Sequence, residues 1–378
     1  MKIPLSKPDI TDIEKKKVFE VLETSCLSLG PKLKEFEEKI AEYAGVKYAI
    51  AVNSGTSALH LIIRALDIKD NDEMITTPFS FISSSNCALF ERAKPVFVDI
   101  DPKTLNIDVS KIEEKINEKT KAILAVDVFG NPADWDKLQT IALKHNLYLI
   151  EDSAEALGSM YNERKCGSFG DAGIFAFYPN KQITTGEGGV VLTNQKMIAD
   201  KCYSMVNQGR KVENGKWLEH IRLGYNYRLD ELSCALGIAQ ILRIEEILNK
   251  RKTVAEIYNN KLKDISGVKI PNFFFEETIS PFVYVIILDD NFSERDRNTI
   301  VEEMNEKDIQ CGFYFQPIHL QPFYKEMFGY ASNDFPITEK ISQRTIALPF
   351  FNDLKEEEII YVVESLKEII KDLKCFCH

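Results

Sequence analysis

From about residue 45 to residue 195 the chain alternates short apolar runs with segments of helical periodicity. The spacing predicts strands over 46–52, 74–77, 95–99, 122–128, 147–151, 173–177 and 189–193. Helices are predicted over 56–66, 80–91 and 133–145, between these strands. Strands spaced by helices make βαβ units and hence a mostly parallel sheet. Several runs are apolar throughout, as strands covered on both faces are. After Thr193 the texture changes. Residues 197–206 and 229–259 read as helices, the second long enough to bridge to another domain. Beyond about residue 260 a smaller α+β unit is expected, with a strand over 282–288, a helix over 294–306, a strand over 309–315 and a C-terminal amphipathic helix over 355–371. The expected architecture is α/β. A mostly parallel seven-stranded sheet lies in a large domain spanning 1–250, which includes an N-terminal arm, and a small α+β domain spans 251–378.

Composition narrows the partners. The 378 residues are 44% hydrophobic and 28% charged, an ordinary globular balance. A formal net charge of −11 repels phosphate backbones, so no nucleic-acid partner is expected. A small anion remains acceptable, because local backbone N–H groups hold one against the overall field. No run reaches membrane-spanning length and the start, MKIPLSKPDI, carries no apolar leader, so a cytoplasmic protein without a membrane partner is expected. The eight cysteines form no C-x-x-C pair and read as reduced thiols. The tail Cys375-Phe376-Cys377-His378 reads as a frayed terminus, and no metal is expected.

Three segments at strand ends carry chemistry, and in open α/β sheets ligands gather at the carboxyl ends of strands. Asn53-Ser54-Gly55-Thr56-Ser57 joins a strand to a helix. Gly55 permits close approach, and the helix N-terminus with the Ser54 and Thr56 hydroxyls suits a phosphate. Alone, the same residues make an ordinary N-cap turn. Glu151-Asp152-Ser153-Ala154-Glu155 follows a buried strand, where a carboxylate needs a partner such as a protonated ring nitrogen. A strand-end Asp capping the next turn explains Asp152 equally well. Phe177-Tyr178-Pro179-Asn180-Lys181 sits among apolar residues and runs into the glycine-rich Thr184-Thr185-Gly186-Glu187-Gly188-Gly189. A desolvated lysine loses proton affinity and becomes a nucleophile toward an aldehyde. Its structural alternative is a surface-loop lysine.

Taken together, NSGTSAL, EDSAEALGS, FYPNKQITTGEGG and GYNYRLDELSCALG resemble the DegT/DnrJ/StrS sugar aminotransferases, which have the aspartate-aminotransferase fold (fold type I). The resemblance runs in order from LSKPDI near the start, through YFQPIHLQPFY, to RTIALPF. It implies a large domain that binds pyridoxal 5′-phosphate. Lys181 matches the lysine that forms the Schiff base, and Asp152 the residue on the pyridine nitrogen. Ser54, Gly55 and Thr56 match the phosphate turn, and Phe81 the aromatic that stacks on the ring. Glu155 falls where relatives often carry His or Gln near the ring hydroxyl. Asn226 matches an asparagine reaching the phosphate from a partner subunit, so a homodimer with shared active sites is implied. Tyr314, His319 and Arg228 fall near the substrate. Ala176 departs from the family, where many relatives carry a phosphate-binding Ser, and Gly312 where many carry Arg.

The function so implied moves an amino group, from glutamate, onto a nucleotide-linked keto sugar. The TTGEGG segment resembles members that aminate C4 of a 4-keto-6-deoxy sugar, for amino-sugar and surface-polysaccharide synthesis. A related sugar dehydratase carries His where Lys181 stands. An amino-acid or keto-cyclitol transaminase is the first alternative. It requires an arginine for the substrate carboxylate, with Arg210, Arg222, Arg228 and Arg344 as candidates. A pyridoxal-phosphate-fold regulator without catalysis is the other. If it bound DNA it would carry a basic helix pair, which the sequence lacks.

Overall fold

In the computed structural model, residues 2–211, 219–276 and 278–376 are described. Of the tail, Cys377 and His378 lie outside them. The seven apolar runs of the first half form one sheet: β1 (Tyr48–Val52), β2 (Glu73–Thr76), β3 (Lys94–Phe97), β4 (Thr120–Val126), β5 (Tyr148–Asp152), β6 (Ala172–Ala176) and β7 (Gly189–Thr193). Their spatial order is β1-β7-β6-β5-β4-β2-β3. Neighbours from β6 to β3 run parallel, and β7 is antiparallel to both β1 and β6. Every residue of β7 is buried, which explains why its run, Gly189-Val-Val-Leu-Thr193, shows no polar alternation.

Helices cover both faces. They are α1 (Asp12–Leu22), α2 (Pro31–Ala44), α3 (Gly55–Ala65), α4 (Ser83–Leu89), α5 (Trp135–His145), α6 (Lys196–Val206), α7 (Glu231–Leu242) and α8 (Ile244–Leu262). On one face Leu59, Ile62 and Ile63 of α3 join Val191 of β7 and Ile150 of β5 in the main core. On the other, Phe36 and Ile40 of α2 join Ile238 of α7 against Val190 and Leu192. The smaller unit holds β8 (Val268–Lys269), α9 (Glu294–Glu306), α10 (Pro322–Phe328), α11 (Pro336–Ser342) and α12 (Glu356–Phe376) around β9 (Tyr284–Leu288) and β10 (Thr345–Leu348). Its sheet has the antiparallel order β8-β9-β10. No helix among the described residues is long and apolar enough to cross a membrane.

Two expectations fail. The helix predicted over 229–259 is two, broken at Arg243, whose φ of −104° and ψ of 11° leave the helical region. The break lets its guanidinium reach Glu14 at 2.7 Å and Asp9 at 3.1 Å, so the charges of the N-terminal segment overrule a sequence with no breaker. The strand predicted over 309–315 is absent as well. Ile309 bridges to Ile3 and Gly312 to Ala347, each as a single isolated pair. The consecutive aromatic residues beyond Gly312 serve another purpose: Tyr314 and Phe315 turn toward the large sheet and pack on Phe129.

Candidate active site

The carboxyl ends of β1, β5 and β6 converge on a cavity of about 520 Å³. From β1, Asn53 and Ser54 lead into α3, and the Ser54 Oγ caps that helix by accepting the Ser57 N–H at 3.1 Å. The first N–H groups of a helix have no partner within it, so this N-terminus faces the cavity as an anion site. Two glycines shape it. A Cβ at Gly55 would sit 2.8 Å from Cβ of Ala176, and one at Gly189 would sit 2.6 Å from the Ser54 carbonyl carbon. The strand end carrying Ala176 and the start of β7 therefore close directly on the helix start. The Thr56 hydroxyl pairs with the Ser83 hydroxyl at 2.7 Å, at the cavity wall.

Asp152 ends β5. Adjacent strand residues point to opposite faces, so Glu151 turns away from the cavity while Asp152 lines it. Glu151 is absorbed structurally, accepting hydrogen bonds from the Ser153 hydroxyl and the N–H groups of Gly167 and Phe169. Asp152 is buried, and burial pushes its pKa up; the hydrogen bond from the Ser84 hydroxyl and the N–H of Ala154 pull it back. Those bonds reach Oδ2 at 2.7 Å and Oδ1 at 3.2 Å. The Ser80 hydroxyl backs Ser84 at 2.8 Å.

Lys181 comes from the loop between β6 and β7 and retains 13% exposure. Burial drives its pKa down, while the carboxylates of Glu155 and Asp152 oppose that fall. Its Nζ lies 3.7 Å from Oε1 of Glu155 and 4.0 Å from the centre of the Phe282 ring. Burial lifts the Glu155 carboxyl to about 7, against the charge of Lys181 and the Phe129 N–H. The loop is anchored by Gln182, whose Nε2 donates to the carbonyls of Glu155 at 2.8 Å and Ser280 at 2.9 Å. The amine, two buried carboxyls and a helix N-terminus thus share one largely water-shielded chamber, with the exposed Glu187 at its edge.

Of the residues singled out from sequence, Ser54, Gly55, Thr56, Phe81, Asp152, Glu155, Lys181 and Tyr314 line this cavity. Phe81 is 62% exposed and flanks the opening. Asn226, Arg228 and His319 do not line it. Asn226 and Arg228 lie on an extended strip beside β1, where Arg228 Nη1 donates to Asn207 Oδ1 at 2.9 Å. His319 is fully buried, with Nε2 3.0 Å from Glu339. Arg210, Arg222 and Arg344 also lie off the cavity lining. Gly312 is absent from it too, and a Cβ there would meet Leu5 at 3.0 Å. The sequence reading missed Ser84, Asn180, Phe282 and Phe315, which also line the cavity. The Ser83-Ser84-Ser85 run after Phe81 was a usable signal for the first; the two phenylalanines are indistinguishable from core in sequence.

Comparison with known proteins gives one consistent picture. The DegT/DnrJ/EryC1/StrS aminotransferase family matches residues 8–367. GDP-perosamine synthase of Escherichia coli O157:H7 is 37% identical, over 98% of this chain and 99% of that protein. The solved structure of Helicobacter pylori PseC, an aminotransferase of pseudoaminic acid biosynthesis, superposes with a TM-score of 0.92 at 31% identity, covering 98% of this chain and all of that one. The pyridoxal-phosphate form of a sugar aminotransferase described as putative, Spr1654 of Streptococcus pneumoniae, also gives 0.92, at 28% identity over 98% of this chain and 99% of that one.

Proposed function

The chain belongs to the DegT/DnrJ/EryC1/StrS aminotransferase family and is a pyridoxal-phosphate-dependent sugar aminotransferase, and from that premise we propose that it moves the amino group of glutamate onto C4 of a nucleotide-linked 4-keto-6-deoxy sugar. The observation that carries this reading is the placement of Lys181 Nζ and the Asp152 carboxylate in one buried chamber under the N-terminus of α3. The residues fit the cofactor. The close packing at Gly55 and Gly189 leaves a backbone cradle for its phosphate, and Ser54 and Thr56 add hydroxyls. Ala176 carries no hydroxyl, so backbone N–H groups take that share. Asp152 supplies the carboxylate for the ring nitrogen. Asn180 Oδ1 is buried without a hydrogen-bond partner at the same wall.

When bound, pyridoxal phosphate supplies an aldehyde carbon for amines and a ring that withdraws electrons from the donor's Cα. The chain's own part is to hold and move protons. Asp152, with its two donors, stays ionised opposite the ring nitrogen. Lys181 Nζ, lowered by burial, accepts the Cα proton of the donor and returns one to the sugar carbon. Phe81 and Tyr314 border the opening through which a sugar enters. Asn226 and Arg228, outside their own cavity, would serve the site of a second copy, giving a homodimer with shared sites. His319 would act from behind the substrate region rather than by direct contact, since it is buried off the cavity. Cys26, Cys87, Cys166, Cys202, Cys234 and Cys311 are free thiols, which supports a cytoplasmic setting.

The test is a panel of nucleotide-linked keto sugars offered with glutamate and scored by mass spectrometry for gain of an amine, with NMR locating the new C–N bond. Amination at C4 is expected, and none by Lys181→Ala, which should also lack the cofactor's near-visible absorption. Turnover of free keto acids alone, or an active Lys181→Ala, overturns the reading.

A further inference from the structure

Among the described residues, one carboxylate lies within 4 Å of Lys181 Nζ, that of Glu155, with Oε1 at 3.7 Å. Asp152, the other buried carboxylate of the chamber, is committed elsewhere, because both its oxygens accept hydrogen bonds, from Ser84 and Ala154. Glu155 is held from one side only. Its Oε2 accepts the N–H of Phe129 at 2.8 Å, which leaves Oε1 toward the lysine. Phe129 itself has a φ of 58°. That left-handed conformation costs a bulky residue roughly 1–2 kcal/mol. It is held by the packing of its ring, stacked on Phe315 at 5.4 Å and edge-on to Phe79 at 5.9 Å. The chain therefore keeps a strained backbone N–H in place for this one carboxylate.

We propose that Glu155 is the proton partner of Lys181, exchanging one proton between Oε1 and Nζ. The ammonium and carboxylate become a neutral amine and a carboxylic acid. The nitrogen keeps its electron pair, the proton moves to oxygen, and no charge leaves the pair. A small torsion of the four-carbon lysine stem closes the 3.7 Å gap. Such exchange lets a buried lysine take up and release its proton without stranding an uncompensated charge in a low-dielectric chamber, while the ionised carboxylate favours the ammonium. Burial moves the two proton affinities toward each other, lysine down and glutamate up to about 7. The other titratable or charged groups facing the pair or lining its chamber are Asp152 at the end of β5, Arg251 of α8, Tyr314 from the segment after α9, and Tyr178 and Glu187 of the loop between β6 and β7.

This inference rests on Lys181 being the reacting amine. It is tested on the full chain stripped of cofactor, by measuring the rate of pyridoxal phosphate capture against pH from the rise of near-visible absorption. Glu155→Gln keeps an acceptor for the Phe129 N–H and takes no proton. Without its counter-charge the ammonium is less stable, so the acid limb of the rate profile should move about one pH unit lower, roughly a tenfold faster capture at a fixed acidic pH. Glu155→Ala should shift the limb the same way, and Glu155→Asp should restore the wild-type limb. Profiles of both neutral variants that superimpose on the wild type, or fall equally at every pH, overturn the proposal while leaving the lysine assignment intact. A wild-type chain that captures no cofactor at any pH overturns the assignment of Lys181, and this proposal with it.

Discussion

Replacing Ser84 with alanine isolates the support of the buried carboxylate. Ser84 lies on α4, far in sequence from Asp152, and donates to Oδ2 at 2.7 Å. Burial pushes the Asp152 carboxyl toward its neutral form, and this hydroxyl is the first of the forces that oppose it. A hydrogen bond to a buried charged group contributes about 1.5–3 kcal/mol. Ser84→Ala leaves only the 3.2 Å Ala154 N–H on the carboxylate, so Asp152 ionises less readily and holds a protonated ring nitrogen less firmly. The dissociation constant for pyridoxal phosphate should rise roughly tenfold to a hundredfold. The sign with pH follows from the raised carboxyl. Asp152 must be ionised to grip the ring, so the deficit of the variant is greatest in acidic solution, where its carboxyl has taken a proton that the wild-type Asp152 has not, and shrinks in alkaline solution as both carboxyls ionise. Ser80→Ala is the graded control: its hydroxyl touches Ser84 at 2.8 Å rather than Asp152, so its effect should be the smaller. Equilibrium dialysis at several pH values, with circular dichroism to confirm folding, measures this. A folded Ser84→Ala protein that binds the cofactor within about twofold of the wild type in acidic solution refutes the reasoning.

Two further outcomes are expected. Glu37 of α2 accepts the Ala51 N–H of β1 at 2.9 Å, and burial lifts its carboxyl from the ordinary 4.5 to about 8. The folded chain thus holds a proton that the unfolded chain releases; the stability it contributes is full below about 4.5 and is lost as pH rises through about 8. Glu37→Gln should therefore flatten the pH dependence of denaturant stability across that window and stabilise the alkaline protein; an unchanged slope counts against it. Gly189→Ala places a Cβ 2.6 Å from the Ser54 carbonyl carbon, and overpacking of this kind costs about 1–3 kcal/mol. Calorimetry should show a lowered Tm together with weaker cofactor binding, because the clash falls on the N-cap of α3; loss of neither would mean that the cradle is not as tight as described.

The large sheet was legible because several of its seven runs are apolar throughout and helical segments separate several of them. The phosphate turn, the strand-end Asp152 and Lys181 were legible for a related reason: each follows directly from a strand end, so sequence order alone carries it to the same sheet edge. What surrounds them was not. Ser84 is 68 positions from Asp152 and Glu155 is 26 from Phe129, and nothing in a linear reading ranks those pairs above others. Phe315 and Phe282 illustrate the reverse failure. Their apolar periodicity is real, and it predicted strands over 282–288 and 309–315. The protein uses Phe315 to brace Phe129 and Phe282 to cover the lysine amine. Arg243 breaks its helix for the same kind of reason, since the carboxylates of Asp9 and Glu14 outweigh a local preference for helix. Local propensity decides where the chain has only itself to satisfy. Where a distant charge or a reacting group must be served, the chain departs from propensity, and the left-handed Phe129 marks that departure most directly. An aromatic residue in that conformation lacks a glycine's freedom, and the group its N–H touches is the carboxylate facing Lys181.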